Sequence, residues 1–92
     1  NIHPALLPKY GGKGMYGMRV HKAVVENNEL ESGITIHYVN EEYDQGDYIF
    51  QTTIALVPDD EESDIAAKIQ SVEKQFFPKV IASLLLNDRN EI

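Results

Sequence analysis

Apolar residues recur with two different periods along the chain, and these periods predict its helices and strands. Over 18–27 the apolar positions return every three or four residues, which predicts a helix. Over 33–40 and 47–57 apolar and polar residues alternate, as is typical of strands. Because only a short, polar and acidic turn at 40–46 separates these two strands, we expect an antiparallel hairpin with a wide loop.

A longer helical pattern follows the hairpin. Apolar residues recur at spacings of three and four from Ile65 to Leu84, which predicts an amphipathic helix that ends near Leu86. Pro78 should kink or split this helix, because proline removes a backbone donor and clashes with the preceding turn. The acidic run 59–62 is expected to stabilise the start of this helix, because negative charge interacts favourably with the positive end of the helix dipole. We prefer this explanation to metal binding.

The first eight residues predict the end of a strand and a stiff loop. Pro4 keeps His3 out of helical angles, and Pro4 and Pro8 restrict the backbone between them. In an extended chain Asn1 and His3 point to the same face. A carboxamide and an imidazole aimed in one direction indicate a candidate site, and the alternative is a solvated histidine near a terminus.

Three other features have a structural and a functional explanation. Four of the six glycines lie within 11–17, which predicts a flexible connection, with a phosphate-binding loop as the alternative. His21 lies on the apolar face of the first helix, so a buried, hydrogen-bonded structural histidine is expected. His37 lies within a predicted strand, where a structural role competes with a position at the border of a site.

Composition and charge narrow the class of protein. The 92 residues are 42% hydrophobic, which suits one small globular domain. A formal net charge of -7 argues against a general binder of nucleic acid or of anionic membranes. The absence of cysteine excludes disulfides and thiolate metal sites, and it fits a cytoplasmic location. No apolar run is long enough to span a bilayer.

Four sequence blocks resemble one known family. They are Asn-x-His-Pro-Ala-Leu-Leu-Pro at 1–8, Tyr-Gly-Gly at 10–12, Glu-Ser-Gly-Ile-Thr-Ile-His at 31–37, and Tyr-Asp-Gln-Gly-Asp at 43–47 followed by Gln51. In this order they resemble the folate-dependent formyltransferases, and within them the phosphoribosylglycinamide formyltransferases. The resemblance runs over nearly the whole chain.

The resemblance implies an α/β fold. Residues 1–92 would be the C-terminal part of a single, Rossmann-like formyltransferase domain with a mixed sheet, here a loop-helix, an antiparallel hairpin and a long C-terminal helix. A nucleotide-binding-like N-terminal half, which supplies much of the folate site, would be absent from these residues. The isolated chain is therefore expected to show little or no activity.

The resemblance also implies a reaction and a set of site residues. The formyl group of 10-formyltetrahydrofolate would pass to the amine of 5'-phosphoribosylglycinamide in purine biosynthesis, without a metal. Asn1 would donate to the formyl oxygen, His3 would act as general acid, and Asp44 would stabilise the protonated form of His3 and order a proton-carrying water. The implied substrate contacts are Pro4, Gln70 and Glu73, and the implied folate contacts are Asn40, Glu41, Glu42, Tyr43 and Asp44.

Other activities and partners stay open at this point. Formyltetrahydrofolate hydrolases typically carry a second histidine where this chain has Pro4, which favours transfer over hydrolysis. Methionyl-tRNA and sugar formyltransferases share parts of the motif. The alternative from another class is a non-catalytic folding or association module. We expect small-molecule substrates and no nucleic acid or membrane partner, and a homodimer is left open.

Overall fold

A computed structural model of the chain describes residues 1–39 and 47–90, with the side chains of 87–90 excepted. The elements follow the chain as β1 (Ile2–His3), α1 (Met18–Glu26), β2 (Glu31–His37), β3 (Tyr48–Ala55) and α2 (Glu62–Asn90). The predicted α/β arrangement of a loop-helix, an antiparallel hairpin and a long C-terminal helix is confirmed. Within the described ranges no helix is long and apolar enough to span a membrane.

The three strands form one sheet in the order β1-β2-β3, and both pairs are antiparallel. The parallel strands of a mixed sheet are not found among the residues that the structure describes. The β2 strand starts two residues earlier than predicted and ends at His37, three residues before the predicted end. The β3 strand is one residue shorter at its start and two at its end than the predicted 47–57.

The central strand β2 is buried on both faces, because different parts of the chain cover them. Ile34 belongs to a core cluster that includes residues from both helices, namely Val20, Val24, Ile65 and Ile69. On the opposite face, the loop after β1 lies against Gly33 and Thr35. The loop after β1 is therefore packed directly against the central strand.

The long helix α2 is continuous through Pro78, so of the two predicted outcomes, a kink or a split, the split does not occur. Pro78 and Lys74 are both exposed, and water can satisfy the Lys74 carbonyl that loses its amide partner. The helix also extends four residues beyond the predicted end at Leu86. Near its middle, the ring of Phe76 packs edge-on against Phe50 of β3, with centroids 5.2 Å apart.

Gly33 is expected to tolerate no side chain. A Cβ built there would overlap the Thr52 carbonyl oxygen and would lie 2.7 Å from Leu6 Cδ2. Because the Thr52 contact is with backbone, it cannot be relieved by a rotamer change, and Gly33→Ala should lower the free energy of unfolding by about 1–3 kcal/mol. Urea unfolding followed by circular dichroism measures this change.

The neighbouring Ser32→Ala variant is the matched control. It removes a buried hydroxyl that has no hydrogen-bond partner among the described residues, so stability should be unchanged or slightly higher. Equal stabilities of the two variants would contradict the close approach at Gly33.

Candidate functional site

His3 lies on the edge strand β1, Asn1 directly precedes this strand, and both residues line the same cavity. The main-chain nitrogen of Asn1 donates to the His37 carbonyl at 2.8 Å, and the His37 amide donates back to the Asn1 carbonyl at 2.9 Å. His3 follows in register opposite Thr35. With Pro4, the two residues line a cavity of about 520 Å³. The structure thus brings together three of the residues predicted for the site.

The His3 side chain is buried, with only 4% of its surface exposed, so the solvated alternative is wrong. Its Nε2 lies 2.6 Å from the carbonyl oxygen of Tyr10. A carbonyl oxygen can only accept a hydrogen bond, so Nε2 carries the proton in this contact. In the neutral ring Nδ1 is therefore the nitrogen that carries no proton and can accept one.

The side chain of Tyr10 anchors the residue whose carbonyl contacts His3. The Tyr10 ring is buried, and its hydroxyl accepts a hydrogen bond of 3.2 Å from Asn27 Nδ2 at the end of α1. Burial is the main cause that raises the pKa of the Tyr10 hydroxyl above its usual range. The preceding residue, Lys9, forms an ion pair with Glu29, with 2.7 Å between Nζ and Oε1. These contacts tie the acceptor of the His3 ring to the end of α1.

A fully buried hydroxyl fixes the loop between His3 and Pro8. Thr35 Oγ1 donates to the Ala5 carbonyl at 2.9 Å and accepts from the Leu7 amide at 3.1 Å. Gln51 Nε2 on β3 donates to the same Oγ1 at 2.9 Å and to the Leu7 carbonyl at 3.1 Å. Two side chains of the hairpin therefore satisfy three main-chain groups of the loop.

Sequence reasoning gave no role to Thr35 or to Gln51. Their partners are main-chain atoms 28 to 44 residues away, which no local pattern reveals. The local signal was the place of Thr35 between Ile34 and Ile36 in a predicted strand. A buried hydroxyl in such a place needs a partner, and the loop supplies it.

His21 is buried on α1, as predicted, but its hydrogen bonding differs from the prediction. Its Nδ1 has no partner among the described residues. Burial lowers the pKa of the His21 imidazole, the carboxylate of Glu62 acts against that shift, and the charge of His3 adds to it. His37 is also buried, and its Nδ1 lies 2.9 Å from the Tyr38 carbonyl oxygen.

Two of the remaining predicted residues, Gln70 and Glu73, do not line the cavity described above. Gln70 is exposed on α2, and Glu73 is half-buried, which raises the pKa of its carboxyl group. Neither is among the described residues that line the cavity. The predicted folate contacts Asn40, Glu41, Glu42, Tyr43 and Asp44 lie outside the described residues. Within the described part of the chain, no cluster of histidines and carboxylates could hold a metal ion.

Comparison with known proteins gives a consistent result. The sequence profile of the formyl transferase family matches residues 1–81. The chain is 44% identical over 84 residues to the chloroplastic phosphoribosylglycinamide formyltransferase of Arabidopsis thaliana, covering 91% of this chain and 29% of that protein. Curated relatives such as this one are therefore about three times as long as the chain.

Solved structures agree with this comparison. The phosphoribosylglycinamide formyltransferase of Bacillus halodurans superposes with a TM-score of 0.81 at 34% identity, over 92% of this chain and 41% of that one. An N-formyltransferase from Helicobacter canadensis, solved in complex with folinic acid and dTDP-3-aminofucose, gives a TM-score of 0.83 at 30% identity. That match covers 95% of this chain and 30% of the other.

Thr35→Val should release the loop that carries His3. Valine keeps the shape of threonine but leaves the Leu7 amide, the Ala5 carbonyl and one Gln51 proton without their partner. Unsatisfied buried groups of this kind cost about 1–3 kcal/mol of unfolding free energy. Urea unfolding measures the loss, and amide hydrogen exchange at Leu7 should become faster.

Two variants serve as controls for this prediction. Thr35→Ser keeps the hydroxyl and should retain slow exchange at Leu7. Thr53→Val makes the same chemical change at an exposed position of β3 and should leave both measurements unchanged. If Thr35→Val behaved like Thr53→Val, the hydroxyl would not hold the loop.

His21 should make the protein less stable as the pH falls. Because the pKa of His21 is lowered in the folded state, the unfolded chain binds more protons just below its ordinary value of 6.5. The free energy of unfolding should therefore fall between about pH 7.5 and about pH 5.5. His21→Leu should show a smaller fall than the unsubstituted chain, measured by urea unfolding at both pH values.

Lys22→Leu, at the next and exposed position of the same helix, is the control, because it also replaces a basic side chain with leucine but leaves His21 in place. It should keep the full pH dependence. An equal fall in His21→Leu and Lys22→Leu would show that His21 does not contribute.

Proposed function

Because the chain belongs to the formyl transferase family, we propose that it carries the catalytic residues of a phosphoribosylglycinamide formyltransferase. The reaction would move a formyl group from 10-formyltetrahydrofolate to the amine of 5'-phosphoribosylglycinamide in purine biosynthesis. The observation that carries the proposal is the shared cavity of Asn1 and His3, with the His3 ring fixed by the Tyr10 carbonyl. The names of the relatives support the choice of substrates.

The chemistry needs a hydrogen-bond donor and a proton carrier at one point. The amine nitrogen attacks the formyl carbon, a new C–N bond forms, and negative charge develops on the formyl oxygen. The Asn1 carboxamide can donate to this oxygen at any pH, because it does not titrate. The C–N bond to the folate then breaks, and one proton passes from the attacking amine to the folate nitrogen.

His3 is suited to carry that proton. Its Nε2 proton is engaged by Tyr10, so the transfer would use Nδ1. A protonated ring would also stabilise the oxyanion more strongly than a neutral one. Asp44 is proposed to favour the protonated ring and to order a water, and the folate is proposed to contact residues 40–44. Gln70 and Glu73 are proposed to contact the ribonucleotide, with the ribose hydroxyls or the substrate amine as donors to Glu73.

The active protein is proposed to contain further segments. The chain spans 29% of the length of its Arabidopsis relative, so most of that protein has no counterpart in residues 1–92. A segment that resembles the nucleotide-binding half of the family would complete the folate site. A cytoplasmic location stays a prediction, and the name of the Arabidopsis relative places that protein in the chloroplast.

A sugar formyltransferase is the second candidate. The Helicobacter canadensis enzyme, which was solved with a nucleotide-linked aminosugar, matches the fold as well as the purine enzymes do. Comparing formyl transfer to 5'-phosphoribosylglycinamide and to dTDP-3-aminofucose separates the two candidates. We expect turnover of the ribonucleotide, and turnover of the aminosugar alone would contradict the proposed substrate.

His3→Ala tests the proposed role of the histidine. The variant is made in a chimaera in which residues 1–92 replace the matching segment of the Arabidopsis relative. Loss of a general acid typically lowers turnover about 10²–10⁴-fold, so kcat for formyl transfer should fall by that factor. Turnover is followed by the absorbance change as the formyl folate is consumed.

Gln75→Ala, at an exposed position of α2, should leave turnover unchanged and serves as the control. The 92-residue chain alone is expected to show little or no transfer. Near-normal turnover of His3→Ala beside an active chimaera would refute the role assigned to His3.

A further inference from the structure

Two cations line the same cavity as Asn1 and His3, one in the glycine-rich segment and one in the first turn of α1. They are Lys13 and Arg19, and within the described ranges neither forms an ion pair. Two other lysines, Lys9 and Lys68, are paired with carboxylates at 2.7 Å and 2.6 Å. Because these two cations face the cavity without a carboxylate partner in the part of the chain that the structure describes, and the chain has a formal net charge of -7, they indicate attraction for an anion.

The segment 12–17, which carries Lys13 and leads into Arg19, has glycines in a backbone conformation that other residues rarely adopt. Gly12, Gly14 and Gly17 have φ values of 95°, 85° and 55°, a region that favours glycine. A Cβ built at Gly12 or Gly17 would meet no atom within 4 Å. These glycines are therefore suited to the curved path of the segment along the cavity, and not to close packing.

The Arg19 side chain is held at the cavity wall. Its guanidinium lies 5.1 Å from the centre of the Tyr16 ring, within the range of a cation–π contact. Its Nη1 also lies 3.8 Å from the point where a Gly14 side chain would begin. An arginine that stacks on a ring keeps its edge donors for an oxyanion, which it can bind with two parallel hydrogen bonds.

We propose that Lys13 and Arg19 bind the anionic end of a substrate whose reacting atoms lie at Asn1 and His3. This inference rests on the proposed function for the identity of the ligand. The cavity volume of about 520 Å³ suits a small molecule rather than a lone ion. Two sources of an oxyanion occur in the proposed reaction, namely the phosphate of the ribonucleotide and the glutamate carboxylates of the formyl folate.

Binding to the full 92-residue chain tests the site directly. The isotope-labelled chain is titrated with inorganic phosphate, with 5'-phosphoribosylglycinamide, and with formyl folates that carry one or several glutamates. Amide signals over 12–19 should shift with the ligand that uses the site. Lys13→Gln and Arg19→Gln should each weaken its binding about tenfold, as expected for a lost charged hydrogen bond.

Lys74→Gln makes the same change in charge at an exposed position of α2 that does not line the cavity, and it should bind like the unsubstituted chain. Weaker binding of phosphate and of the ribonucleotide would identify the phosphate as the ligand. Weaker binding of the folates alone, growing with the number of glutamates, would identify the carboxylates. The proposal would be overturned if Lys13→Gln and Arg19→Gln bound every probe as tightly as Lys74→Gln does. It would also be overturned if no probe shifted the amide signals over 12–19.

Turnover of the chimaera separates this inference from the proposed function. In Lys13→Gln and Arg19→Gln the KM of one substrate should rise while kcat is retained. An active chimaera whose KM values do not respond would overturn the anion site and leave formyl transfer standing. Charge-dependent phosphate binding in a chimaera without transfer activity would refute formyl transfer and leave the anion site standing.

Discussion

The hydroxyl of Thr35 is the point on which the arrangement of the candidate site depends. It lies on a strand that is buried on both faces, and it takes up one donor and one acceptor of the loop after β1. Gln51 completes the set from the neighbouring strand. Because these partners are buried or part-buried, water cannot fully replace a hydrogen bond that is lost there, and each loss lowers the free energy of unfolding. The position of His3 is therefore set by the hairpin, through the loop that follows it.

The close approach at Gly33 makes this arrangement possible. The absence of a side chain lets Leu6 and the Thr52 carbonyl come close to the same main-chain point. A larger residue would displace either the loop or β3, and the Thr35 and Gln51 contacts need both of them in place. Gly33 and Thr35 thus act together. Gly33 allows the loop after β1 and the strand β3 to approach β2 closely, and Thr35 makes the hydrogen bonds to the loop.

The sequence predicts those parts of the fold that depend on local spacing. The first helix and the hairpin follow from periods of three to four and of two residues, so their existence and the start of the helix could be predicted. The other ends of these elements were wrong by one to three residues. The continuity of α2 through Pro78 could not be predicted, because the local cost of proline gives no information on solvent access at Lys74. Asn1 and His3 could be placed on one face from their spacing, whereas Tyr10, Thr35 and Gln51 act through main-chain atoms that are distant in sequence. Gln70, Glu73 and Asp44 rest on resemblance alone.

The contact between His3 and Tyr10 constrains any mechanism that uses the imidazole. Of the two ring nitrogens, Nε2 already donates to a carbonyl that is held in place by the end of α1. Under the proposed mechanism Nδ1 has to exchange a proton with the reacting groups, and it cannot at the same time be fully engaged by a carboxylate. A carboxylate that favours the protonated ring would then act through space or through a shared water, rather than by a permanent hydrogen bond to Nδ1. The proposed water ordered by Asp44 satisfies this requirement, because it can carry the proton while the charge of the carboxylate still acts on the ring.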